Sequence, residues 1–151
     1  LKQGDQAPDF NLASEAGKKS LKDFSGQWLV LYFYPKDFTG GCTAEACDFR
    51  DLSPDMNAAI LGVSPDSVDS HQKFKEEHNL NFPLLADEDN ALAKAYGAYG
   101  IKKNYGKEYE GIIRSTFIIN PDGNIAEAMY NVKATGHAAR VASKLKELQL
   151  A

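Results

Sequence analysis

An unbroken run of apolar and aromatic residues, Trp28-Leu29-Val30-Leu31-Tyr32-Phe33-Tyr34, constrains this chain more than any other feature. Such a run has no polar side to turn to water. It reads as a central strand covered on both faces, so layers must pack above and below it. Pro35 ends the strand, and Gly40-Gly41 turn the chain into a helix of about a dozen residues that begins at Cys42 and stops before Pro54.

The remaining signals alternate. Ala58 to Val63 reads as a second buried strand, and Ser64-Pro65-Asp66 opens a helix reaching His78, with Asp or Ser as its cap. Phe82 to Leu85 is a short strand, and Asp89 is expected to cap a short helix through Ala95-Tyr96. Ile112 to Ile119 reads as one strand, Asn120-Pro121-Asp122-Gly123 as a turn, and Ile125 to Tyr130 as its antiparallel return. Residues 136–149 form a closing helix with Val141, Leu145 and Leu148 at helical spacing. Before the first strand, Gly4 to Phe24 reads as short strands and turns. Strand–helix alternation ending in a hairpin and a helix is an α/β layer pattern, and 151 residues suit a single domain spanning 1–151.

Composition narrows the function. A formal net charge of −4 argues against nucleic-acid or anionic-membrane partners. No apolar run approaches the ~20 residues needed to span a bilayer, and Leu1 to Asp9 lacks the blocks of a signal peptide. Cys42 and Cys47 are the only cysteines, too few for a disulfide-built secreted scaffold. A cytoplasmic setting is expected, where a close cysteine pair points to redox chemistry.

The helix places the two thiols differently. At about 100° per residue, Cys42, Ala46 and Phe49 share the face toward the sheet, while Cys47 falls beside Thr43, Arg50 and Asp51 on the polar face. Their Cα atoms lie roughly 8.7 Å apart in an intact helix, beyond the ~7 Å limit for a disulfide. Bonding them requires the first turns to unwind, and unwinding after oxidation of Cys42 is the expectation. A static structural disulfide would strain the helix while closing only a short loop. Two merely structural thiols fit poorly with the polar position of Cys47. Structural zinc is not expected, because His71, His78 and His137 lack ligand spacing with the cysteines. They read as solvated or capping groups.

Cys42 sits where a helix start stabilises a thiolate, the reactive form of the side chain. Thr39, three residues earlier, can bring its hydroxyl to the sulfur. Glu45 lies one turn on and would oppose the thiolate unless paired with a cation, for which Arg114 is the best candidate. The lysines Lys102, Lys103 and Lys107 with Glu108 read as a solvated loop. No flavin, haem or nicotinamide motif is present, so no cofactor is expected.

Pro35-x-x-x-Thr39-x-x-Cys42 resembles the active-site motif of the peroxiredoxins, and Cys47 with Tyr32-Phe33-Tyr34-Pro35-Lys36 and Phe49-Arg50-Asp51 resembles the bacterioferritin-comigratory or peroxiredoxin Q branch. Further blocks in the same order, Gly4 to Phe10, Gly62 to Asp66, Phe82 to Asp87 and Arg114 to Gly123, carry the likeness across nearly the whole chain. The resemblance implies a thioredoxin-like fold with a central mixed sheet flanked by helices. It implies reduction of hydroperoxides, with Cys42 peroxidatic, Cys47 resolving through an intramolecular disulfide, and thioredoxin or a similar dithiol as reductant. Thr39 and Arg114 would complete the pocket, Pro35 would shield the sulfur, and Glu45 would orient the arginine. The branch leans monomeric. Gly40 departs from the proline usual there, which is expected to loosen the loop. Two other readings stay open: a protein-disulfide oxidoreductase, whose usual Cys-x-x-Cys spacing is absent, and a non-enzymatic binding module of the same shape.

Overall fold

The structure, a computed structural model, describes residues 1–104 and 106–150. Its elements run β1 (Asn11–Ser14), β2 (Gly17–Ser20), β3 (Leu29–Phe33), α1 (Gly40–Leu52), β4 (Ala59–Ser64), α2 (Val68–His78), β5 (Leu84–Ala86), α3 (Ala91–Ala95), β6 (Tyr99–Asn104), β7 (Lys107–Ile112), β8 (Ser115–Ile119), β9 (Ile125–Met129) and α4 (His137–Leu150). Seven strands form one mixed sheet in the order β2-β1-β5-β4-β3-β8-β9. Strands β3, β4 and β5 are parallel, and β8 runs antiparallel to both β3 and β9.

Strand β3, at the centre of the run Trp28–Tyr34, organises everything. Every residue of β3 is buried, and its alternation divides the interior into two cores. Val30, Tyr32 and Tyr34 point to the layer that holds Cys42, Ala46 and Phe49 of α1, Phe74 of α2, and Val141 and Leu145 of α4. Leu29, Leu31 and Phe33 point to the opposite layer with Leu61, Val63, Leu85, Tyr96 and Phe117. The Phe49 ring stacks on Tyr32 with centroids 4.6 Å apart, fixing the rotation of α1 on the sheet. Such a pair contributes about 1 kcal/mol beyond its buried area.

The structure differs from several expectations. The segment Ile112 to Ile119 is two strands, because β7 pairs only with β6 whereas β8 enters the main sheet between β3 and β9. Arg114 stands in the break, and its carbonyl accepts from Val132 N–H at 3.0 Å. The expected solvated loop around Lys102, Lys103, Lys107 and Glu108 is the β6–β7 hairpin. Its β7 strand is exposed from Lys107 to Glu110, so hydrophobic alternation does not mark it. Helix α3 is served chiefly by Asp87, whose carboxylate accepts from Leu92 and Ala93 N–H, while Asp89 accepts from Ala91 N–H. The cap of α2 is Ser67. His71 and His137 are buried, contrary to the solvated reading.

Close packing of β3 against β4 depends on Gly62, which faces Tyr32 in the parallel register. A methyl group there would come within 2.8 Å of Leu84 Cδ2 and 3.0 Å of the Tyr32 ring and hydroxyl. Gly62→Ala is therefore expected to destabilise the fold by about 1–3 kcal/mol through overpacking. Urea unfolding measures this, and an unchanged midpoint would contradict the packing described.

Candidate active site

Helix α1 starts at the C-terminal end of β3, where open α/β sheets gather their sites. Its N-cap is Thr39, extended at φ −79°, and the cap side chain makes no bond to the helix. The first turn closes through Thr43 N–H donating to the Thr39 carbonyl at 2.9 Å. The amides of Gly41 and Cys42 lie ahead of the helical ladder and face outward as donors.

Cys42 is 2% exposed, and its sulfur accepts from Arg114 Nη2 at 3.2 Å. The other arm of the same guanidinium, Nη1, donates to Glu45 Oε1 at 2.5 Å. Glu45 is fully buried, and the Arg114 side chain is partly buried at 16% exposure. Arg114, 69 and 72 residues away in sequence, thus brings one planar cation to both Glu45 and Cys42. Gly41 lies beneath it: a methyl group there would sit 3.6 Å from Nη2.

Burial pushes the Glu45 carboxyl up to about 7, against the pull of the Arg114 charge. Partial burial alone would lower Arg114, but Glu45 and Cys42 hold it above its ordinary value. Glu45 Oε2 and the Tyr32 hydroxyl are both buried without a hydrogen-bond partner among the described residues. Burial, and next the charge of Glu45, drives Tyr32 well above its ordinary range.

The Thr39 hydroxyl finds its acceptor within its own loop, donating to the Lys36 carbonyl at 2.9 Å rather than to the Cys42 sulfur. Its oxygen keeps lone pairs free to accept. Pro35 is half-buried at the head of the loop that leads to α1. Cys47 is half-buried, and both cysteines are free thiols. The continuous helix keeps them on separate faces.

Sequence reasoning passed over three contributors. Lys102 of β6 belongs to the site's electrostatics: partial burial and then the like charge of Arg114 lower it, while Cys42 opposes them. His137 is 1% exposed, and its Nε2 lies 2.7 Å from Thr116 Oγ1. Its ring stands edge-on to Phe49, which packs on the back of α1. Asp37, two residues after Pro35, is buried with His71 against its carboxylate. Only the Tyr34-x-x-Asp37 spacing hinted at the last.

Comparison with known proteins settles the family. Residues 3–128 match the AhpC/TSA family. The chain is 48% identical to peroxiredoxin Bcp of Bacillus subtilis over 149 residues, covering 96% of this chain and 95% of that protein. The chain belongs to the peroxiredoxin family. It is accordingly a thiol peroxidase of thioredoxin-like fold. Peroxiredoxin Bcp of Escherichia coli is 41% identical over 151 residues, 97% of each chain. Among solved structures, Xylella fastidiosa PrxQ in a cysteine-to-serine form superposes with TM-score 0.91 at 41% identity, covering 99% of this chain and 98% of that one. The Xanthomonas campestris bacterioferritin comigratory protein, described for alkyl peroxide reduction, superposes with TM-score 0.86 at 44% identity, covering 91% and 90%.

Two buried groups of this peroxiredoxin titrate in opposite senses. Folding raises Glu45 from 4.5 to about 7, so its stabilising contribution is full below pH 4.5 and is lost as pH climbs through 7. Burial, then Arg140 and Arg114, lowers His137 from 6.5 to about 4, so its contribution is full above pH 6.5 and is lost as pH falls through 4. Between these limits the two slopes oppose each other. Glu45→Gln removes one of them, and its stability is expected to rise from pH 4.5 to 7 relative to the native protein by about 3 kcal/mol. Urea unfolding across that range checks it, and parallel curves for the two proteins would contradict it.

Proposed function

We propose that Cys42 is the peroxidatic cysteine, Cys47 the resolving cysteine, and Arg114 the cation that serves the reacting sulfur. The reading rests on one observation above all: a single guanidinium donates to the Cys42 sulfur and to buried Glu45. Substrates are hydrogen peroxide and organic hydroperoxides.

The chemistry follows from this placement. The Cys42 thiolate attacks one oxygen of the hydroperoxide, a sulfur–oxygen bond forms, and the O–O electron pair leaves with the other oxygen. Arg114 and the free amides of Gly41 and Cys42 stabilise the charge on that departing oxygen, which takes a proton and leaves as water or an alcohol. Thr39, its hydroxyl proton held by Lys36, accepts from the O–H of the substrate. Pro35 walls the sulfur from bulk water. Glu45 keeps the guanidinium in plane with both partners.

The sulfenic acid on Cys42 is then attacked by the Cys47 thiolate; the S–S bond forms, the S–O bond breaks, and the departing hydroxide takes up the proton that Cys47 released and leaves as water. This step needs α1 unwound at its start. The front of the helix is held by Arg114, through Cys42 and Glu45. The back is pinned independently, by Arg50 Nη1 donating to the His78 carbonyl at 2.6 Å and by Asn81 Nδ2 donating to Ser53 Oγ at 2.8 Å. Unwinding therefore runs from Gly40 to Cys47 and stops at Phe49. Thioredoxin or a similar dithiol protein restores both thiols by exchange. The enzyme works as a monomer in the cytoplasm. No helix among the described residues is long and apolar enough to cross a membrane.

Cys42→Ser is expected to abolish peroxide consumption. Cys47→Ser is expected to reduce one equivalent of peroxide and then stop in the presence of thioredoxin and its reductase. Sustained turnover by Cys47→Ser would overturn the resolving role. Hydrogen exchange adds a second check. After oxidation by peroxide, amides from Thr43 to Asp51, which donate to carbonyls between Thr39 and Cys47, lose protection, while the Ser53 amide, which donates to the Phe49 carbonyl, keeps it. Protection retained throughout α1 in a disulfide-linked form would refute the unwinding.

A further inference from the structure

The segment Tyr34-Pro35-Lys36-Asp37-Phe38-Thr39 joins β3 to α1, and so decides where Pro35, Thr39 and the first amides of the helix stand. At its centre Asp37 is only 3% exposed. Its Oδ1 accepts from the Tyr34 hydroxyl at 2.6 Å. Its Oδ2 accepts from Ser70 Oγ at 2.8 Å and faces His71 Nδ1 at 2.7 Å. Its own N–H donates to Asp66 Oδ2 at 2.8 Å, an oxygen that also takes Ser64 Oγ at 2.6 Å.

His71 is wholly buried, with Nε2 lying 2.9 Å from the Leu85 carbonyl. A carbonyl oxygen can only accept, so Nε2 carries a proton. Nδ1 faces the Asp37 carboxylate, which two hydroxyl donors also engage. The ring is thus fixed between β5 and Asp37. Beyond Asp37 the chain bends through Phe38 at φ +65°, an uncommon region for a side chain of that size, and the ring packs edge-on to Phe74 at 5.1 Å.

These three side chains, Asp37, Asp66 and His71, bring ligand-type atoms within 4.8 Å of one another. Both Asp37 oxygens and both His71 nitrogens already serve hydrogen bonds. The cluster is a saturated clasp and not a vacant cation site. Its anchors are β3, the β4–α2 turn, α2 and β5, and none belongs to α1.

We propose that Asp37, held by His71, is a positioning residue of the peroxidase site, fixing the Pro35–Thr39 backbone so that the substrate is presented correctly to Cys42 whether or not α1 has recently unwound. This rests on Cys42 being the peroxidatic residue. The clasp touches neither the sulfur nor Arg114. It acts on the geometry of peroxide approach and leaves the readiness of the thiol alone.

Two rate constants separate these effects. Alkylation of Cys42 by iodoacetamide needs an available thiolate, whereas reaction with hydrogen peroxide also needs the surrounding donors in register. Asp37→Asn retains an oxygen for Tyr34 but offers His71 and Ser70 an amide that cannot accept. Its peroxide rate constant, from stopped-flow, is expected to fall at least about tenfold while alkylation changes by less than about threefold. Ser70→Ala and Tyr34→Phe each remove one donor and are expected to shift the same ratio by about threefold. These milder variants carry the test should Asp37→Asn fail to fold. An unchanged ratio of the two rates in the folded variants overturns the proposal, whatever happens to the melting temperature. If Cys42 were not peroxidatic, the native protein itself would keep its Cys42 thiol alkylatable after hydrogen peroxide, so the two failures are distinguishable.

Discussion

The guanidinium of Arg114 is the interaction on which this site depends. Glu45 is a carboxylate with no exposure, on the sheet-facing side of α1. Without a cation it would be severely unfavourable there. Arg114 reaches it because the chain leaves the β6–β7 hairpin at Ile112 and enters the main sheet only at Ser115. The break aims the residue between them at the start of α1, and the Ser115 hydroxyl, donating to the Ile113 carbonyl at 2.7 Å, stiffens the corner. One arm of the cation then satisfies Glu45 and the other meets Cys42. Structure and chemistry are thereby coupled through one planar group that a lysine could not replace, since an ammonium lacks the fixed fork.

The same pairing leaves the front of α1 close to release. Gly40 and Gly41 open the helix, each costing about 1 kcal/mol relative to alanine. Thr39 supplies no side-chain cap. Glu45 remains pushed up to about 7 with one oxygen unbonded, so its burial is only partly compensated. Rehydrating that carboxylate favours the unwound state. Against this stand the Arg114 contacts and the seating of Cys42 and Ala46 in the core. A helix start balanced in this way is the one that the proposed disulfide across two faces would have to open.

Much of this was legible in the residues. The apolar run Trp28–Tyr34 declared the central strand, and the spacing of Cys42, Ala46 and Phe49 declared the buried face of α1, because both patterns are driven by core packing. The pairing of Glu45 with Arg114 was legible too, since a carboxylate beside a thiolate calls for a cation. The β6–β7 hairpin was not, because its strands pair with each other and bury little. Lys102 was lost with it. His71 and His137 escaped because a buried histidine differs from a solvated one only in its partners, Asp37 and Thr116, and those contacts span 34 and 21 residues of sequence. The bond of the Thr39 hydroxyl to the Lys36 carbonyl was not legible, because it is made inside the loop that leads to α1.

These parts impose a division of labour on the segment from Tyr34 to Leu52. Under the proposed cycle, a peroxidase that closes a disulfide between residues on separate faces of one helix must let part of its site come apart at each turnover. Whatever presents the peroxide must survive that disassembly, or each turnover would begin with a search for the correct geometry. In this chain the two demands fall on different anchors. The Tyr34–Thr39 loop is tied to the end of β3, to α2 and to β5 through Asp37 and His71, none of them part of α1. The back of α1 is tied to the end of α2 through Arg50 and to Asn81 through Ser53. Only Gly40 to Cys47 lies between these fixed ends, held by Arg114 and its own packing. The releasable length is therefore set by the positions of Asp37 and Phe49, and it contains both cysteines.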